Sequence, residues 1–187
     1  MNKKHILWKF GYLAIAGGVF LIDQTSKAWA VRRLRFGGDI EVIKDFFSFA
    51  YAQNTGVAFS MFDDHGDSGR WGLSLLAFFA AALVLYFFWR TPRNDDRILG
   101  ALALFLAGIL GNVIDRIRLG FVVDFIDFQF GGWHYPTFNV ADIAICTGAG
   151  LLILDMFLIK KGKKEKSEAE NDDESKSEAP AKQLESN

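Results

Sequence analysis

Apolar runs of membrane length alternate with charged connections along this chain, and the alternation sets its elements. From Trp8 the sequence stays apolar through Phe10 to Ile22 and continues in helical character through Asp23-Gln-Thr-Ser-Lys27 to Ala30. A basic start followed by an apolar run also describes a cleaved signal peptide, with Ala28-Trp29-Ala30 as a small-x-small site. A Trp inside that site and the unbroken helical run favour a retained span over 8–30. Trp71 to Trp89 carries no charge and is bracketed by Trp. Crossing a hydrocarbon core of ~30 Å takes ~20 apolar residues, with aromatic residues favoured at both edges. Residues 71–89 are therefore a second span. Residues 98–115 form a third, closed by Asp115-Arg116, and 140–159 a fourth, where Gly148-Ala-Gly150 would allow close helix packing.

The connections differ from one another. Residues 32–70 contain Ile40-Glu-Val-Ile-Lys and Phe46-Phe-Ser-Phe-Ala-Tyr-Ala, β-branched and aromatic runs that predict two short strands. Asn54-Thr-Gly56 is a turn signal. A small β-unit over about 36–62 at the membrane surface follows. Arg90 to Arg97 is a short polar turn whose Pro ends the second helix. In 118–138, Phe121-Val-Val-Asp-Phe-Ile is strand-like and Gly131-Gly132 breaks it. Beyond Lys160 the chain is Lys, Glu, Ser, Asp and Ala, too polar to bury a core, so 161–187 is expected to be a disordered charged tail. The expected fold class is an all-α membrane protein of four transmembrane helices with a small extracytoplasmic β-unit, residues 1–160 forming one domain.

Composition narrows the function. Hydrophobic residues make up 51% of the chain and net charge is -1, so no basic excess points to nucleic acid. Cys146 is the only cysteine, which excludes an internal disulfide. Eleven Lys and Arg lie near the N-terminus, the middle turn and the start of the tail, against seven in the other two connections. Arg32, Arg33 and Arg35 work against that bias. It still favours both termini in the cytoplasm, and then every unusual carboxylate except Asp155 sits at the outer helix ends.

Carboxylates beside membrane spans are costly and call for a reason. Asn139 is a good N-cap for the fourth helix and puts Asp142 in its first turn, where free N–H groups and the helix dipole favour the ionised form. Plain capping would explain an isolated N-x-x-D. Asp124 is flanked by apolar residues, so desolvation would raise its pKa; an outward-facing strand position is the plainer alternative. Asp127 is one residue off that alternation. Asn112 and Asp115 share a helix face near Arg116, either as a site or as an interfacial anchor. Asp23 and Lys27 form an i, i+4 pair read as structural support, with Lys27 free to snorkel.

Two carboxylates held close cannot both ionise easily, so one keeps its proton. That asymmetry suits aspartic proteolysis. The ionised partner takes a proton from water; the protonated one hydrogen-bonds the scissile carbonyl and later protonates the leaving amine. His5, His65 and His134 are scattered without metal spacing, and no metal or cofactor is called for. A carboxylate-only site also suits Mg²⁺ or Ca²⁺, which makes a small ion-binding or carrier membrane protein the alternative.

Five blocks carry a resemblance: Asp23-Gln-Thr-Ser-Lys27, Asn54-Thr-Gly-Val-Ala-Phe-Ser60, Gly111-Asn-Val-Ile-Asp-Arg116, Val122-Val-Asp-Phe125 and Phe138-Asn-Val-Ala-Asp142. In this order and spacing the chain resembles bacterial lipoprotein signal peptidase, or signal peptidase II, over about residues 10–160. The resemblance implies a four-span inner-membrane aspartic peptidase with its site toward the periplasm. Its substrates are diacylglyceryl-modified prolipoproteins, cut just before the lipidated cysteine. It implies Asp124 and Asp142 as the catalytic pair; spacing alone does not prefer Asp124 over Asp115. It implies Asn54, Asn112, Arg116 and Asn139 as residues lining the site and contacting substrate or the inhibitor globomycin. Asp23, Lys27, Gly56, Ala58 and Asp115 match support positions. Membrane lipid is the expected surrounding, and a monomer the expected state.

Overall fold

The computed structural model describes residues 3–56, 67–92 and 95–158. Four long helices occur: α1 (Lys3–Arg33), α2 (Asp67–Arg90), α3 (Asp96–Leu119) and α4 (Val140–Leu158). Between them run four strands, β1 (Ile40–Ile43), β2 (Phe47–Asn54), β3 (Val122–Phe130) and β4 (Trp133–His134), in one antiparallel sheet of order β1-β2-β3-β4. The fold is mostly helical with a small sheet, and the sheet draws on both long connections rather than on 36–62 alone. Ala58, the remainder of the expected β-unit to residue 62 and the tail over 161–187 lie outside the described residues.

Among the described residues three helices are long and apolar enough to cross a membrane: Gly69–Arg90, Asp96–Leu119 and Val140–Leu158. Half of the apolar window of α3 is buried in protein, against 17% for α2 and 22% for α4. The third helix is thus the central one, and the other two turn most of their apolar surface outward. Leu75, Leu76, Phe78 and Phe79 on α2, and Ile153, Leu154, Met156 and Phe157 on α4, are exposed. Unbroken apolar faces of this kind suit lipid, not water.

At 31 residues α1 has the length to cross but carries Lys9, Asp23 and Lys27, all buried against protein. It starts at Lys3, earlier than the span read from the sequence, because its first turns have work to do. Lys9 donates to the Phe88 and Trp89 carbonyls at 2.9 and 2.7 Å, two of the acceptors that a helix C-terminus leaves open. Trp8 donates to Asp96 at 3.2 Å, and Arg97 pairs with Asp155 at 2.8 Å. These contacts gather the starts of α1 and α3 and the ends of α2 and α4 at one end of the molecule.

The helices touch closely where side chains are missing. A Cβ at Gly108 would collide with the Ala141 carbonyl, and one at Gly148 would meet the Ala101 carbonyl at 2.9 Å. Gly150 faces open space, so of the expected Gly148-Ala-Gly150 packing site only the first glycine serves.

The sheet sits on the C-terminal end of α1. Ala30 and Leu34 pack with Val123 and Phe125 in a buried cluster, and the Trp29 ring meets Phe49 and Phe125 edge-on at 5.2 and 6.3 Å. Ala52 pairs with Asp124 and Asn54 with Val122 across β2 and β3. Gly120, at φ +89°, ends α3 in the left-handed region and donates to the Arg116 carbonyl. Arg70 of α2 donates to that same carbonyl at 2.7 Å and also to Ile117. The start of α2 is thereby tied to the end of α3, beside the point where β3 begins.

Candidate active site

The sheet and the helix ends at this pole converge on two aspartates. Asp124 lies in the middle of β3 at 2% exposure. Its side chain therefore does not take the outward-facing strand position that alternation allowed. Asp142 lies in the first turn of α4, where Asn139 caps the helix reciprocally. The Asp142 N–H donates to Asn139 Oδ1 at 3.0 Å, and the Asn139 N–H donates to Asp142 Oδ2 at 3.2 Å.

Three asparagines hold the pair. Asn139 Nδ2 donates to Asp124 Oδ1 at 2.6 Å, Asn54 Nδ2 to Asp124 Oδ2 at 3.0 Å, and Asn112 Nδ2 to Asp142 Oδ1 at 2.8 Å. In each, the amide oxygen is anchored by a group that can only donate. These are the Asp142 N–H for Asn139, the Gly56 N–H for Asn54 at 2.8 Å and the Lys27 ammonium for Asn112 at 2.9 Å. A flipped amide would set donor against donor, so all three NH₂ groups must face the carboxylates. Gly56 earns its place here: its φ is +86°, and a Cβ would collide with Leu73.

Burial pushes the Asp124 carboxyl up to about 6, and the Asp142 charge adds to the rise. The amides of Asn54 and Asn139 and the more distant Lys27 charge oppose it. The Arg116 Nε is buried and has no hydrogen-bond partner among the described residues. Among those residues neither Asp124 nor Asp142 is in an ion pair.

Behind the pair lies a second polar group. Lys27, 3% exposed, does not snorkel. It reaches Asp23 Oδ2 at 2.9 Å, Asp115 Oδ2 at 3.0 Å and Asn112 Oδ1 at 2.9 Å, which uses its three protons. Snorkelling fails because two carboxylates and an amide oxygen already surround the ammonium inside the protein. Gln24, which sequence reasoning passed over, donates to both Asp23 and Asp115 at 3.1 and 3.2 Å. Gly111 was passed over too; a Cβ there would strike Asp23 Oδ2. Both residues stand inside the quoted blocks, which was the only signal for them.

The structure thus brings together Asp124, Asp142, Asn54, Asn112 and Asn139, with Arg116 one turn from Asn112 and with Asp23, Lys27 and Asp115 behind them. Asp127 stands apart, paired with His134 at 3.0 Å. No three His, Cys, Asp or Glu side chains among the described residues gather into a group able to hold a metal ion.

Comparison with known proteins follows the same outline. A sequence profile for signal peptidase (SPase) II matches residues 15–158. A lipoprotein signal peptidase of Pseudomonas fluorescens is 44% identical over 154 residues, covering 82% of this chain and 91% of the relative. One of Shewanella loihica is 42% identical over 143 residues, covering 76% and 84%. A solved bacterial membrane enzyme, determined by the in meso method at 1.9 Å resolution, superposes with a TM-score of 0.70 at 30% identity, covering 78% of this chain and 92% of that one.

Proposed function

The chain belongs to the signal peptidase II family, and on that premise we propose what each residue of the site does. The protein is a membrane aspartic endopeptidase that removes the signal peptide from diacylglyceryl-modified prolipoproteins, cutting just before the lipidated cysteine. Asp124 and Asp142 are the catalytic pair. The observation that carries this is their common partner: Asn139 binds one carboxylate through its side chain and the other through its backbone N–H.

Asp142 works as the ionised member, since a helix N-terminus favours its charge. It takes a proton from the attacking water. Asp124, raised by burial, holds the proton that polarises the scissile carbonyl and then passes to the leaving amine. The proton gained by Asp142 returns to Asp124 to reset the pair. Asn54, Asn112, Asn139 and Arg116 line the cleft and meet the substrate backbone, or globomycin in its place. Asp23, Lys27, Gly56, Ala58 and Asp115 support them.

The lipid tails of the substrate stay in the bilayer while the bond meets water. A site at the helix ends beneath a surface sheet meets both demands. In this reading α1 is the fourth span, residues 1–160 form the peptidase domain, and the protein works as a monomer in the bacterial inner membrane. Both termini are cytoplasmic and the sheet is periplasmic.

The test is purified protein in detergent with a diacylglyceryl prolipoprotein, with and without chelator, beside Asp124→Asn and Asp142→Asn. Cleavage immediately before the lipidated cysteine, indifferent to chelator and lost in both variants, is the expected result. Turnover retained in either variant refutes the pair. Dependence on a divalent ion would favour the ion-binding alternative.

A further inference from the structure

The Asp23–Lys27–Asp115 group has a feature that ion pairing alone does not require. Asp23 Oδ1 accepts the Ala141 N–H at 2.8 Å, and Asp115 Oδ2 accepts the Val123 N–H at 3.2 Å. Ala141 immediately precedes Asp142, and Val123 immediately precedes Asp124. Each support carboxylate therefore grips the backbone one residue before a candidate catalytic aspartate. One ammonium joins the two grips, and its third proton goes to Asn112 Oδ1, whose NH₂ group meets Asp142.

We propose that Lys27 is a positioning residue for the peptidase reaction. It fixes the separation of the two catalytic carboxylates through the Ala141 and Val123 backbones, and with the longer bond from Asn139 Nδ2 to the same oxygen, at 3.3 Å, it keeps the Asn112 amide turned as a donor toward Asp142. Lys27 is not within hydrogen-bond distance of Asp124 or Asp142, so its contacts reach them through these three partners, beside the longer-range action of its charge on Asp124. Lysine meets three separately placed acceptors because its ammonium offers three donors around one point. The orientation matters because an amide turned the other way would present its oxygen to a carboxylate, and the two acceptors would then need a proton between them. This inference rests on the assignment of Asp124 and Asp142 as the catalytic pair.

The experiment uses the full chain in detergent with a diacylglyceryl prolipoprotein. The primary variant is Lys27→Met combined with Asp115→Asn, which leaves the net charge of the group unchanged. Expected are a fall in kcat of roughly 10²-fold, the scale of a small misplacement at a reacting centre, and a KM within about twofold. Asn112→Ala supplies the background that separates positioning from scaffolding. Adding Lys27→Met and Asp115→Asn to Asn112→Ala should cost clearly less than the same pair costs in the parent, because one of the three lines is already cut. A purely structural lysine would cost the same in both.

Asn112→Asp leaves every Lys27 contact in place and covers the case in which the lysine variants do not fold. Its second carboxylate oxygen would face Asp142 Oδ1, so kcat should fall and the acid limb of the rate profile should move to higher pH. The charged groups around the pair in that measurement are Asp23 and Lys27 from α1, Arg116 and Asp115 from α3 and the two aspartates themselves, while β2 contributes the neutral Asn54. If the folded lysine variant keeps the parent kcat, or if Asn112→Asp keeps the parent kcat and profile, the proposal fails while the catalytic assignment stands. A parent that does not cleave at all would remove that assignment first.

Discussion

One pole of the molecule holds two pairs of aspartates drawn from distant parts of the sequence, and it treats them in opposite ways. Asp23 and Asp115 share a lysine, bind backbone N–H groups and are closed to further chemistry. Asp124 and Asp142 are held by amides, with no ion pair among the described residues. A buried ion pair fixes the charge of its carboxylates, since removing either partner strands the other. An amide stabilises a carboxylate through hydrogen bonds and still lets a proton come and go. Amide partners therefore mark the pair proposed to react, and a shared cation marks the pair that holds the frame.

The largest test of this contrast is turnover. Asp124→Asn and Asp142→Asn should each lower kcat by at least about 10³-fold, within the range of positioned proton transfer, while SDS titration in mixed micelles shows a folded protein. Asp23→Ala should behave in reverse, with stability as its main loss. It leaves the Ala141 N–H unpaired and takes one carboxylate from Lys27, a loss of about 3 kcal/mol in the same titration. If Asp23→Ala lowers kcat as far as the Asp124 and Asp142 variants do at unchanged stability, the contrast between the two pairs disappears.

A third test uses pH. The Asp124 carboxyl is raised from 3.8 to about 6 on folding, so the folded state holds that proton more tightly than the unfolded one. The resulting stabilisation is fully present below about pH 4 and is lost as pH rises through about 6. Two or so pH units correspond to about 3 kcal/mol. Asp124→Asn cannot show this dependence. Its stability relative to the parent should therefore worsen by about that amount between pH 7 and pH 4, measured as the difference between the two proteins. A difference flat with pH would mean that Asp124 is not a raised acid.

The smallest expected effect is at Gly56. Gly56→Ala puts a Cβ at positive φ and against Leu73. It should cost about 1–2 kcal/mol and several-fold in kcat, because the Gly56 N–H orients Asn54. Unchanged kcat with the stability loss would show that the orientation of Asn54 is not needed.

Much of the site could be read before any coordinates. The N-x-x-D pattern at Asn139 and Asp142 is local, and its reciprocal cap formed as the spacing implied. Asp124 announced itself as an acid in an apolar strand, although only the family resemblance chose it over Asp115. The remainder depended on long-range contact. Lys27 and Asn112 are 85 residues apart, and Asp23 and Ala141 are 118 apart; no periodicity carries such a pairing. Lys27 was misread as a snorkelling residue for that reason. The short strand β4 escaped notice because a strand of two residues has no pattern, and the His134–Asp127 contact escaped with it. The early start of α1 was hidden because Lys9 looks like an interfacial flank until its carbonyl partners on α2 are seen.

That lysine gives its hydrogen bonds to main-chain oxygens and also lies over the Phe88 and Trp89 rings, at 5.8 and 5.7 Å from their centroids. The hydrogen bonds of this junction are therefore indifferent to the residue at 89, while the ring contact calls for an aromatic one there. Sequences could drift there among aromatic residues without the two helices losing their grip, whereas at the opposite pole all three hydrogen bonds of the Lys27 ammonium end on particular side chains.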